Sequence, residues 1–181
     1  MKQLLLLPFL LTLSLSLLAQ NVYTKNASIS FYSKTSLENI AADNGQVMST
    51  LDLLTGQLQF SVLIKAFHFK KSLMEEHFNE NYMESEKFPK ATFKGTIKDF
   101  KIDLTKDGSY PVNVTGDMTI HGVTKNVNLP GTIIVKAGIV TGNSNFKIKP
   151  ADYKIVIPAV VRGNIAETID ITLSCIYDKK M

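Results

Sequence analysis

Tryptophan is absent from this chain and cysteine nearly so, with Cys175 alone. One thiol cannot close an internal disulfide or supply the paired spacing of a zinc site. Cys175 lies in the alternating run IDITLSCIYD, where it reads as a small buried strand residue. A nucleophilic thiol needs a partnering histidine and an electropositive, accessible setting, and nothing local supplies either. Arginine is reduced to Arg162 among twenty basic residues. That disfavours a sequence-specific nucleic-acid reader, which depends on the bidentate guanidinium fork. The doublets Lys70-Lys71 and Lys179-Lys180 have few aromatics between them and make no stacking platform. The three histidines, His68, His77 and His121, include no pair at metal-ligand spacing, and each reads as hydrogen-bonded scaffold. No nucleophile elbow, phosphate loop or dinucleotide fingerprint occurs. Asp99 and Asp103 form no convincing carboxylate pair, and Asp52 is isolated. The reading therefore assigns no catalytic residue, no metal ligand and no cofactor.

What is present is an ordinary globular composition of 181 residues, 45% apolar, with net charge +4. The first residues form an address. Lys2 precedes an apolar run over 4–18, and Ala19 stands before polar Gln20 and Asn21. This is the pattern of a secretory leader, 1–19, cleaved after Ala19. The run is shorter than the ~20 residues of a spanning helix. The expectation is an exported protein, periplasmic or extracellular and soluble after cleavage, with one domain over 20–181.

Beyond the leader, period-2 alternation dominates. Leu58, Phe60, Val62, Ile64 and Ala66 share one face of a strand. Val112, Val114, Gly116, Met118 and Ile120 share another, as do Ile169, Ile171, Leu173, Cys175 and Tyr177. Shorter runs cover 29–31, 91–100, 127–129, 132–137, 139–148 and 153–157. The total is eight or nine strands. Thr55-Gly56, Asp107-Gly108 and Gly142-Asn143 offer positive-φ turns. Gly138 and Pro130-Gly131 read as ladder breaks, and a turn is expected at His121-Gly122. One stretch, 72–80, suits a short helix, with Ser72 and Glu75 as a capping box. Without crossover helices the pattern excludes a parallel α/β fold and favours an antiparallel barrel, with a two-sheet sandwich as rival. An eight-stranded barrel has room for a side-chain filling or one small ligand.

Two segments carry a resemblance: FHFKKSLMEEHFNENYMESEKFPKATF over 67–93 and GDMTIHGVTKNV over 116–127, followed by the run from Phe146 to Pro158. Together they resemble the hallmark stretches of the YceI-like family of bacterial envelope proteins, over about 22–177. Residues 33–54 depart from that pattern, being short and polar without the usual tryptophan. The resemblance implies an all-β, lipocalin-like antiparallel barrel of about eight strands with one short helix, and the segment around that helix is expected over or beside the barrel mouth. It implies a lumen for an isoprenoid, quinone or fatty-acyl chain, with no catalytic residues. The candidate ligand-binding residues are Phe60, Val62, Ile64, Phe67, Phe69, Met74, Phe78, Phe93, Met118, Ile120, Phe146 and Ile155. Met74 and Phe78 either gate the mouth or plug it. Lys65, Lys94 or Arg162 at the rim would attract an anionic head. The expected partner is a hydrophobic small molecule, with transient membrane contact and no nucleic acid. Two rivals are a filled barrel without ligand, and an enzyme using His121 or His77 as a base.

Overall fold

The computed structural model describes residues 21–103 and 105–180; the expected leader lies outside them. Ten strands form one sheet: β1 (Asn21–Lys34), β2 (Asn39–Asp52), β3 (Gln57–Leu63), β4 (His68–Phe69), β5 (Lys90–Ile97), β6 (Gly108–Ile120), β7 (Val123–Lys136), β8 (Ile139–Ile148), β9 (Ile169–Tyr177) and β10 (Lys179–Lys180). Eight are staves of a closed antiparallel barrel. β1 pairs with both β2 and β9, which joins the ends of the sheet and removes its long edges. The two-residue strands β4 and β10 attach to β2 and β1. The sandwich alternative is thereby excluded.

The long alternating runs fold as their period dictates. On β6, Val112, Val114, Met118 and Ile120 turn inward while Asn113, Thr115 and Asp117 are exposed. On β9, Ile169, Ile171, Cys175 and Tyr177 are buried and Asp170 and Thr172 exposed. His121 and Gly122, at φ 50° and 71°, form the two-residue hairpin between β6 and β7. Ala137 and Gly138, at φ 49° and 76°, do the same between β7 and β8.

Several local expectations are corrected. β1 is far longer than 29–31, and all of β2 lies in the stretch that reads as polar. The inward positions of β2 mix small or polar residues, Ala42, Asn44 and Ser49, with Val47 and Leu51, and their parity changes between Asn44 and Val47. β1 carries matching register shifts around Ala27. Asn44 stabilises the irregularity: its Nδ2 donates to the Leu63 carbonyl at 2.9 Å, and its Oδ1 accepts from the Gln46 amide at 2.8 Å. Pro130-Gly131 does not break β7, because they lie opposite Asn113 and Val112 of β6. Proline is tolerated there since pairing of β7 with β8 begins only at Thr132.

Gly142-Asn143 lies inside β8 rather than at a turn. Asp107 and Gly108 have no left-handed φ; instead the Asp107 carboxylate accepts from the Ala137 amide at 2.8 Å. Residues 153–157 are not a strand. A 3-10 turn, Pro150–Tyr153, ends in Lys154 at φ 56°, which diverts the chain into a loop over the barrel end. The short helix α1 (Ser72–His77) continues as a π turn, Phe78–Tyr82. Its N-cap is Lys71, without a side-chain cap, and Glu75 reaches past that position to accept from the Phe69 amide at 3.1 Å. The capping box is thus replaced by a bond from helix to strand.

One end of the barrel is closed by buried side chains. Leu51, Ile97, Val135 and Cys175 are buried there, and the Ser49 and Tyr177 hydroxyls share a hydrogen bond of 2.9 Å. Burial pushes the Cys175 thiol up, and pushes the Tyr177 phenol well up.

Candidate functional site: an apolar lumen and its mouth

The opposite half of the barrel is hollow, with a cavity of about 360 Å³. Such a volume falls within the usual range for small-molecule pockets. All twelve candidate residues line it. Phe60 and Val62 come from β3, Phe93 from β5, Met118 and Ile120 from β6, and Phe146 from β8. Ile64 and Phe67 enter from the 3-10 turn after β3 and its exit, and Phe69 from β4. Met74 of α1, Phe78 of the π turn and Ile155 of the loop after Tyr153 complete the set.

Other residues complete the lining. Phe31 of β1 and Ile171 and Leu173 of β9 lay on faces already legible as apolar alternation. Ile40, in β2, and Ile165, in a loop, carry no such alternation.

Four rings converge beneath the helix. Phe78 lies 5.5 Å from Phe31, 5.6 Å from Phe67 and 5.1 Å from Phe69, centroid to centroid. These separations suit the edge and offset contacts aromatic rings prefer. On the inner wall Gly95 faces Gly116 across β5 and β6. A Cβ on Gly116 would lie 2.3 Å from the Lys94 carbonyl oxygen, and one on Gly95 would strike the Phe93 ring at 2.6 Å. The glycine pair therefore lets the Phe93 ring lie against bare backbone.

Polar groups gather at the mouth. Glu38, His77 and Asn164 line the cavity there with Met74 and Val161. Glu38 accepts from Lys71 Nζ at 3.1 Å and from Asn164 Nδ2 at 3.3 Å. Those two bonds, that of Lys71 first, hold its carboxyl below the ordinary value. The Ala166 amide donates to Ser33 Oγ at 2.9 Å. These contacts fasten the β1–β2 turn, the start of α1 and the loop before β9 to one another.

Of the three expected rim cations, Lys94 lies away from the lumen, Lys65 is paired and Arg162 is exposed at the mouth. Lys94 is on the outer face of β5, opposite Gln59 and Asp117, because the lumen takes Ala91, Phe93 and Gly95. Lys65 is engaged by Glu86. Arg162 is exposed in the loop that carries Val161.

His121 stands outside the lumen. Its Nδ1 donates to the Tyr153 carbonyl at 3.2 Å, and its Nε2 meets Glu84 Oε2 at 2.8 Å. Phe88 packs edge-on against the ring at 4.5 Å. Lys125 and Asp152 bridge nearby at 3.0 Å. His121 thus ties the segment after α1 to the Pro150–Tyr153 turn. Among the described residues no group of three His, Cys, Asp or Glu side chains converges as metal ligands.

Residues 21–176 match the YceI-like domain. The chain belongs to the YceI-like family. This YceI-like chain shares its fold with BcnA of Burkholderia cenocepacia, at a TM-score of 0.70 and 17% identity over 83% of this chain and 95% of that one. A polyisoprenoid binding domain from Saccharophagus degradans, implicated in plant cell wall breakdown, superposes at 0.74 with 13% identity, over 88% and 98%. The Campylobacter jejuni YceI protein gives 0.55 and 15%, over 100% and 90%. No curated protein sequence matches.

Proposed function

We propose that this protein is an exported binding protein that holds a long-chain amphiphile of isoprenoid, quinone or fatty-acyl type in the barrel lumen. The observation that carries this reading is the apolar cavity of about 360 Å³, with Glu38, His77 and Asn164 at its mouth. A slot of that kind takes a chain inward and leaves a polar head at the opening. Burial of a methylene group gives ~0.8 kcal/mol, so ten give roughly 8 kcal/mol, on the order of micromolar affinity before entropic costs. The S. degradans relative, described as polyisoprenoid binding, favours the isoprenoid class.

A filled barrel would leave no such cavity. Of the two histidines an enzyme could use as a base, His121 faces Glu84 and Tyr153 outside the lumen, and His77 lines the mouth. Export rests on the apolar run over 4–18. Among the described residues no helix is long and apolar enough to cross a membrane.

Native mass spectrometry of the exported protein, followed by organic extraction and lipid analysis, tests the proposal. The expected result is a co-purifying isoprenoid or acyl species near one per chain. A ligand-free protein that also fails to bind added polyprenyl, quinone and fatty-acyl probes refutes it.

A further inference from the structure

The loop that closes the mouth has two faces of the same character. From 153 to 166 the sequence is YKIVIPAVVRGNIA, which contains no acid and two cations, Lys154 and Arg162. Ile155, Ile157 and Val161 turn inward and line the cavity. Val156 and Val160 turn outward and are 76% and 92% exposed. Leu37, 72% exposed at the tip of the β1–β2 turn, is its neighbour: a Cβ on Gly163 would lie 3.0 Å from Leu37 Cδ1. Leu73 of α1 is 59% exposed, on the helix whose N-cap Lys71 bonds Glu38 of the same turn. Four bare aliphatic side chains therefore stand around the opening of an apolar cavity.

We infer that this rim docks the protein on an anionic lipid bilayer, with Val156 and Val160 entering the interface and Lys154 and Arg162 meeting lipid phosphates. The inference rests on the lumen reading above, and names where the lumen takes up and gives up its ligand. Charge complementarity points to lipid. Lys70, Lys154 and Arg162 are exposed at this end, while Lys71 is paired with Glu38 and Asp152 with Lys125. Glu76, Glu167 and Asp43, which lies opposite His68, are exposed acids near the patch. A cationic rim gains from an anionic surface, each Lys or Arg worth about fivefold in partitioning near it. Exposed aliphatics around a pocket mark an interaction surface, and here one loop joins that surface to the lumen.

Flotation of the mature chain with vesicles of phosphatidylcholine, with and without phosphatidylglycerol, tests the inference. Binding of a fluorescent fatty-acyl probe in vesicle-free solution is measured in parallel. The native chain should float with the phosphatidylglycerol vesicles and be released by salt. Val156→Asp with Val160→Asp should lower partitioning about tenfold or more, while probe binding in solution stays unchanged. Arg162→Glu with Lys154→Glu should abolish the preference for phosphatidylglycerol. A native chain that binds the probe but floats with neither vesicle overturns docking, as does a double aspartate variant that floats like the native chain. Flotation without probe binding, and without binding of added polyprenyl and quinone probes, keeps the docking and refutes the lumen reading instead. Dimerisation in sedimentation, lost in the aspartate variant and unaccompanied by flotation, overturns the lipid assignment and gives the face to a second copy.

Discussion

Phe78→Ala removes the ring on which the mouth-end aromatic cluster converges. Full burial would set the loss at about 3–5 kcal/mol. Phe78 is half-buried, so its truncation alone costs about 2 kcal/mol. The ring also meets Phe31, Phe67 and Phe69 at 5.1 to 5.6 Å. Each such pair adds about 0.5–1.5 kcal/mol, and pairs sharing one ring do not add fully. Alanine returns about 0.5 kcal/mol through helix propensity, which leaves the sign unchanged. The net expectation is a loss of roughly 2–4 kcal/mol, or a fall in Tm of roughly 5–15 °C for a domain of this size. Thermal unfolding by circular dichroism and the urea midpoint both read it. Leu73→Ala, on the same helix but 59% exposed, should stay within about 0.5 kcal/mol and serves as control. Equal, small effects for the two variants would show that α1 rests on the barrel without being held by the rings.

Two further perturbations probe the wall and the packed end. Gly116→Ala forces a Cβ to within 2.3 Å of the Lys94 carbonyl oxygen, a backbone atom that cannot rotate away. It should cost about 2 kcal/mol or more by urea unfolding, and a loss below ~0.5 kcal/mol would refute the close approach of β5 and β6. Alkaline pH should destabilise the fold. Burial raises the Cys175 thiol and the Tyr177 phenol above their ordinary values of 9.0 and 10.0, so both stay neutral in the fold while the unfolded chain ionises. Their stabilisation is complete below the unfolded values and is lost as pH rises through the folded ones, at about 1.4 kcal/mol per pH unit for each group ionised only when unfolded. Tyr177→Phe should lower stability near neutrality, by orphaning the Ser49 hydroxyl, and flatten the decline above pH ~10. An unchanged alkaline slope in that variant would exclude Tyr177 as a cause.

β6 and β9 were legible because each inward position holds an apolar residue or glycine, and no bulge disturbs the count. His121-Gly122 was legible because a two-residue hairpin demands positive φ twice. β2 was not. Its inward residues Ala42, Asn44 and Ser49 look polar or neutral, and the shift between Asn44 and Val47 moves the pattern to the other parity. Side-chain chemistry cannot show that Asn44 is buried until the Leu63 carbonyl it bonds is beside it. Pro130 misled for a similar reason, since its tolerance depends on where β8 parts from β7. Residues 153–157 alternate like a strand, yet they alternate between cavity and solvent in a loop. The lining itself was readable because inward faces of strands are. Its hollowness was not, because period reports which face turns in and not the distance to the opposite wall.

That distance has an energetic consequence. At about 24 cal/mol per Å³, a dry void of 360 Å³ would forfeit about 9 kcal/mol, an upper figure because the mouth admits water. The total stability of a domain is only about 5–15 kcal/mol. A chain that leaves such a space must recover stability elsewhere, and the packed end, with Leu51, Ile97, Val135 and the bonded Tyr177–Ser49 pair, is where the structure does so. The barrel thus separates along its axis into an end that secures the fold and a hollow end that opens at the mouth. Lumen residues near the mouth can then change in size without unfolding the barrel, which is the condition under which one scaffold accommodates chains of different length. Phe78 departs from that rule, since it lines the lumen and also joins the rings that hold the helix. On the proposed function, a chain entering beside Phe78 would displace ring contacts that hold the mouth, which would couple uptake to local opening through that side chain.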